Sequence, residues 1–167
     1  ERVLSVPDPI FSGLRGLLPG LLLVVVTGLE LSGQEPVPDK LVVLTFDDSS
    51  RSHYDVARPI LKKYGFSATF FITEGFNFST NKKDYMTWEQ IAQLHKDGFE
   101  IGNHTRDHLG LNEQNVDQLK EQLAGINLRC QQHGIPRPIS FAYPGNSFHP
   151  SLLPLLEAEG IRFARRG

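Results

Sequence analysis

Two adjacent carboxylates, Asp47 and Asp48, end the apolar run Leu41-Val42-Val43-Leu44-Thr45-Phe46, and two imidazoles, His104 and His108, follow the short run Phe99-Glu100-Ile101-Gly102. These are residue types that ligate a metal and move a proton. Neighbours at a strand end send their side chains to opposite sides, so the two acids cannot share one task. One can bind a cation while the other stands over the ligand water. His104 and His108, at i and i+4, fall on one face of a helical turn and can grip one ion. An aspartate with two histidines makes a three-ligand site with positions left open, the arrangement of a catalytic rather than a structural metal. Zinc is the first assignment, and other divalent transition metals such as Co2+, Ni2+ or Mn2+ fit the same donors. Each signal also has a plainer reading: an acid pair after a strand often makes a turn or a helix cap, and His-x-x-x-His is often solvated. Their joint placement at one edge of one sheet favours the site.

Positioning four such residues needs a sheet with its strand ends aligned. The chain from Leu41 onward alternates short apolar runs with helical patterns, with strands expected at residues 41–46, 68–72, 99–102, 138–142 and 161–164. A first helix carries Val56, Ile60, Leu61 and Tyr64 on one face and closes at Gly65, with Pro59 near its start. A polar loop runs from Thr73 to Tyr85. Thr87 and Gln90 then form a capping box, Met86 and Ile91 are placed to staple it, and Gly98 stops the helix. Val116, Leu119, Leu123, Ile126 and Cys130 keep helical spacing through a long amphipathic helix ending near Gly134, and Ser151 to Glu159 reads as a short one. Regular strand–helix succession means parallel units with right-handed crossovers, whose sites form beyond the C-terminal strand ends. Periodicity alone does not choose a barrel over an open sheet.

Composition narrows the function classes. A chain of 167 residues, 40% hydrophobic with 11 phenylalanines, can bury one core of ordinary size. A net charge of -2 and the lack of a basic stripe give no nucleic-acid signal, and nothing points to a protein partner. Cys130 is the only cysteine, which excludes internal disulfides and leaves histidine and carboxylate as ligands; its helical register reads as a small buried hydrophobe. His53, His95, His133 and His149 read as surface residues, while Asp107 can either orient a ligand imidazole or face solvent. Gly16 to Leu29 is an uncharged, mostly apolar stretch preceded by Arg2 and Arg15, matching the core of an export signal. Residues 1–33 are therefore expected to be a signal peptide or N-terminal anchor, 34–40 a linker and 41–167 the catalytic domain. The protein is expected to be exported to the periplasm, cell envelope or exterior.

Thr45-Phe46-Asp47-Asp48, the segment His104-Thr105-x-x-His108 and the strand end Phe141-Ala142-Tyr143-Pro144 resemble, in order and spacing, the first three motifs of the polysaccharide deacetylases. These are the NodB-homology group of carbohydrate esterases, related to chitooligosaccharide deacetylases. The resemblance implies a distorted, incomplete (β/α) barrel and a metal-dependent hydrolase removing N- or O-acetyl groups from an acetylated glycan. It implies Asp47 as general base, Asp48, His104 and His108 as metal ligands, Gly145 as the oxyanion N–H, and Tyr143 and Pro144 as the wall beside the acetyl methyl. It also implies that Thr105 supports the turn of the second histidine. Ser49-Ser50 stands where the family usually has Gly-Pro, and Ala142 lies nearest the place of the family's third-motif arginine, so whatever positions Asp47 must come from elsewhere. The sequence reaches Gly167 before the family's last motifs, with about five strands where roughly seven or eight close a barrel. The region is therefore expected to be the N-terminal part of such a domain, apparently truncated at its C-terminus, and Met86 is the only methionine. The alternatives are a catalytically degenerate member binding glycan or metal, and a hydrolase of small linear amides.

Overall fold

The computed structural model describes residues 39–167, so the expected signal segment and all of the linker but its last two residues lie outside the described residues. Among the described residues, five strands form one all-parallel sheet: β1 (Thr45–Phe46), β2 (Thr69–Ile72), β3 (Glu100–Asn103), β4 (Ser140–Ala142) and β5 (Phe163–Arg165). Four helices connect them: α1 (Arg58–Tyr64), α2 (Trp88–Lys96), α3 (Leu119–Gln132) and α4 (Leu152–Ala158). Strand order follows chain order, β1-β2-β3-β4-β5, with no reversal. A doubly wound sheet reverses its order at a switch point; an unreversed succession keeps the helices on one face and curls the sheet as in a (β/α) barrel. The fold is such a curled half barrel.

The curl can be measured by one contact. In a flat sheet, β1 and β5 would lie about 19 Å apart, four strand spacings. Instead the Arg165 guanidinium on β5 forms an ion pair with Asp47 just after β1. The strand ends therefore bend round toward a common point.

The helix-facing side holds the core. Phe70, Ile72, Ile101, Met86, Ile91, Leu94, Ile126 and Cys130 pack as one buried cluster, and Phe141, Tyr143, Leu111, Leu119, Leu123, Leu152 and Leu156 as a second. The Cys130 thiol is buried as expected, and burial pushes its pKa up to about 12. The opposite, concave face is more polar. There Thr69 donates to Glu100 at 2.5 Å and Ser140 donates to the same carboxylate. Gly102 leaves room on this face for the Phe71 ring, since a Cβ at position 102 would meet Phe71 Cδ1 at 2.4 Å.

Two expectations about local structure needed correction. β1 spans Thr45–Phe46 rather than 41–46, and Leu41, Val42 and Val43 are exposed, because among the described residues this strand has a partner on only one side. In the first helical segment only Leu61 is buried, while Val56, Ile60 and Tyr64 face solvent. Those three repeat every four residues and share a stripe about 100° away from Leu61, and a π-helical turn at His53–Ala57 precedes α1. By contrast, the capping box is formed in full. Thr87 N–H donates to Gln90 Oε1 at 2.9 Å and Gln90 N–H to Thr87 Oγ1 at 3.3 Å, with Met86 and Ile91 both buried.

Helices α1 and α2 are tied by a charged cluster at the α2 C-terminus. Asp97 accepts from Arg58 Nε at 2.5 Å and Gln93 Nε2 at 3.0 Å, with Lys62 Nζ at 2.9 Å. Desolvation pushes the Asp97 pKa up, but the hydrogen bonds from Arg58, Lys62 and Gln93 outweigh it and hold the carboxyl at about 2. A depressed folded-state pKa gives stability that is present above the unfolded value near 3.8 and is lost as pH falls toward 2. Asp97→Asn is therefore expected to cost about 2 kcal/mol at pH 7. In urea titrations its deficit against the parent protein should shrink between pH 4 and pH 2; a deficit independent of pH would contradict the assignment.

Candidate metal centre

Asp48 is the second residue beyond β1, and His104 the first beyond β3. Asp48 Oδ1 lies 3.1 Å from His108 Nε2 and 3.4 Å from His104 Nε2. One ligand atom from each residue falls within 4.8 Å of the others. The sequence thus brings its three expected ligands together, but by a different backbone from the one expected. His104 to His108 is no helical turn: Thr105 and His108 have φ of 58° and 53°, in the left-handed region. Asp48 (68°), Ser49 (56°) and Phe76 (58°) share that conformation. Left-handed backbone costs a residue with a side chain roughly 1–2 kcal/mol, and such residues cluster at functional sites.

Specific contacts hold these conformations in place. Ser49 is fully buried, donating to the Thr73 carbonyl at 2.8 Å and accepting from the Thr73 N–H at 2.9 Å. This pair anchors the acid loop to the end of β2, and it explains how a serine stands where the family usually has glycine. Asn103, buried at the end of β3, accepts from Thr105 N–H at 3.0 Å and donates to the Leu123 carbonyl at 3.1 Å, fastening the histidine loop to α3. Gly75 is pressed against the same loop, where a Cβ would meet His108 Cβ at 2.6 Å.

The donor set fits a metal ion. His104 Nδ1 is 2.8 Å from the Ala142 carbonyl, which can only accept, so the proton sits on Nδ1 and Nε2 offers a lone pair. Burial lowers the pKa of His104 against the pull of that carbonyl, favouring the neutral ligand form. Asp48 Oδ1 is buried with no hydrogen-bond partner among the described residues. Lone pairs facing one another repel unless a cation lies between them. The carbonyl behind His104 is thus Ala142, not the carboxylate of Asp107. Asp107 instead pairs with Arg106 and accepts from Gln122 at 2.7 Å.

The second carboxylate has its own holder. Arg165 pairs with Asp47, both about one-third exposed, while the guanidinium lies 5.0 Å over the Phe71 ring that Gly102 accommodates. Sequence reasoning missed Arg165, although it noted that the arginine near Ala142 was lacking. At the end of β4, Pro144 is buried and Gly145 exposed, with φ of 58° in a 3₁₀ turn. The Tyr143 ring packs edge-on to Phe141 and Phe148 in the second core cluster, and burial raises its hydroxyl pKa.

Among the described residues, no other histidine joins the group formed by Asp48, His104 and His108. His53 was expected at the surface but is half-buried, its ring 5.2 Å from Phe46, and burial lowers its pKa. His133 stacks on Trp88, and His149 pairs with Ser151.

A curled parallel half barrel with an aspartate and two histidines converging beyond its strand ends, and an arginine-held second aspartate beside them, defines a recognisable class. The chain belongs to the polysaccharide deacetylase family, whose model matches residues 34–164. Among curated relatives, the poly-beta-1,6-N-acetyl-D-glucosamine N-deacetylase of Staphylococcus aureus is 27% identical over 75% of this chain and 47% of its own length. The Streptococcus pyogenes deacetylase PplD, solved in complex with acetate, is 30% identical with a TM-score of 0.67, covering 78% of this chain and 57% of that one. IcaB from Ammonifex degensii is 29% identical with a TM-score of 0.70, covering 80% and 63%. The chain spans about half the length of the curated relatives it matches.

Proposed function

We propose that this chain carries the hydrolytic site of a metal-dependent carbohydrate deacetylase that removes N- or O-acetyl groups from an acetylated glycan. One observation carries the reading: three ligand atoms converge at the sheet edge where a separate carboxylate is held by an arginine. Asp48, His104 and His108 would hold a divalent ion, zinc first, with Co2+, Ni2+ or Mn2+ suiting the same donors. Such an ion supplies Lewis acidity, polarising the acetyl carbonyl and acidifying water. Asp47 takes the proton of the attacking water as general base, and Arg165 keeps its carboxylate aimed. The Gly145 N–H donates to the developing oxyanion, while Tyr143 and Pro144 shape the wall beside the acetyl methyl. The names of the relatives support an acetylated glycan as substrate. The apolar stretch from Gly16 to Leu29 supports export to the envelope or exterior.

Acetate release from acetylated poly-N-acetylglucosamine is the direct test. Release is expected from metal-loaded protein, to fall at least about 100-fold on chelation, and to return on adding Zn2+. Release indifferent to chelation, or none from any acetylated glycan, would overturn the reading.

A further inference from the structure

The two histidines of the candidate centre are held by different means. His104 is fixed at the end of β3, where its N–H donates to the Ile72 carbonyl at 2.9 Å and its ring meets the Ala142 carbonyl. His108 lies four residues further out in the loop that follows β3, past left-handed backbone at Thr105 and on left-handed backbone itself. The peptides just before it are held by one residue of α3. Gln122 is only 4% exposed. Its carbonyl accepts from Arg106 N–H at 3.1 Å, its Oε1 accepts from Asp107 N–H at 2.9 Å, and its Nε2 donates to Asp107 Oδ2 at 2.7 Å. Two glycines let the loop seat this closely: a Cβ at Gly125 of α3 would meet Arg106 Cδ at 2.7 Å, and one at Gly75 would meet the Asp107 carbonyl carbon at 2.8 Å.

We propose that Gln122 is a positioning residue of the metal centre: acting through the Asp107 peptide, it sets where His108 Nε2 lies relative to Asp48 and His104. This rests on the reading of those three residues as metal ligands. It also gives Asp107 a task, since its carboxylate keeps the Gln122 amide in one orientation instead of partnering an imidazole. The clamp needs an amide because it accepts from the backbone and donates to a carboxylate at once, whereas a carboxylate in its place only accepts. Groups that stand behind metal ligands in this way typically govern affinity for the ion by about 10- to 100-fold.

The test is Zn2+ affinity, measured by competition with a chromophoric chelator, for the parent, Gln122→Glu and the double variant Gln122→Glu with Asp107→Asn, with urea unfolding of the metal-free proteins alongside. In the single variant two carboxylates face each other with no proton between them. It is expected to bind Zn2+ at least about tenfold more weakly. Added negative charge by itself draws a cation in, so a loss reports geometry. The double variant exchanges donor and acceptor at the parent's net charge, and its affinity is expected to return to within about threefold of the parent. A double variant that folds and binds like the parent supports the clamp even where the single one does not fold. Parent-like affinity in Gln122→Glu, even with a lowered urea midpoint, or a double variant that neither folds nor binds better than the single one, would overturn it. A parent that binds no Zn2+ overturns the metal-centre reading together with the clamp, whereas a parent that binds Zn2+ beside indifferent variants overturns the clamp alone.

Discussion

Asp48→Ala is expected to strip the protein of metal while Asp47→Asn keeps the metal and loses turnover. The two acids are neighbours in sequence but have separate surroundings: Asp48 Oδ1 faces His104 and His108, whereas Asp47 faces Arg165. Removing Asp48 takes away one of three donors and leaves two imidazoles, a set too weak to retain an ion through dialysis, so metal affinity should fall by about 100-fold or more. Asp47→Asn preserves shape and can still accept from Arg165, but an amide takes no proton, so acetate release should fall about 10²- to 10⁴-fold with metal content unchanged. Elemental analysis beside an acetate assay separates the outcomes. An Asp47→Asn variant with full activity would overturn the role given to that residue.

Removing the arginine should be nearly as damaging, and through orientation alone. Arg165→Ala is expected to lower kcat about 10²-fold with little change in KM or metal content, since a small misplacement of a catalytic group costs that much. Arg165→Lys should recover only part of the loss, because an ammonium offers a point charge where the planar guanidinium lies over Phe71 and reaches Asp47. Millimolar guanidinium added to Arg165→Ala should restore activity, a response that general destabilisation would not give. Wild-type kcat in Arg165→Ala would show that Asp47 needs no such holder.

The convergence of Asp48, His104 and His108 was legible in the sequence because its signal is local. An apolar run ending in Asp47-Asp48, and another ending shortly before His104, locate strand ends without knowledge of the rest of the fold. The capping box at Thr87 and Gln90 was legible for the same reason. Arg165 was not, because its contact with Asp47 spans 118 residues and exists only once the sheet curls. Nor was the shape of the histidine loop: helical spacing is one way for i and i+4 side chains to meet, and the chain uses left-handed residues at Thr105 and His108 instead. The Leu41–Val43 run misled because hydrophobicity reports a tendency to be covered, and an edge strand leaves that tendency unmet among the described residues.

The ion pair between Arg165 on β5 and Asp47 just after β1 also bears on the order in which the site is assembled. During synthesis Asp47 leaves the ribosome well before Arg165, and in the interval the acid has nothing to hold it. Parallel pairing of distant segments forms slowly, so the Asp47 carboxylate gains its arginine partner only once β5 has joined the sheet.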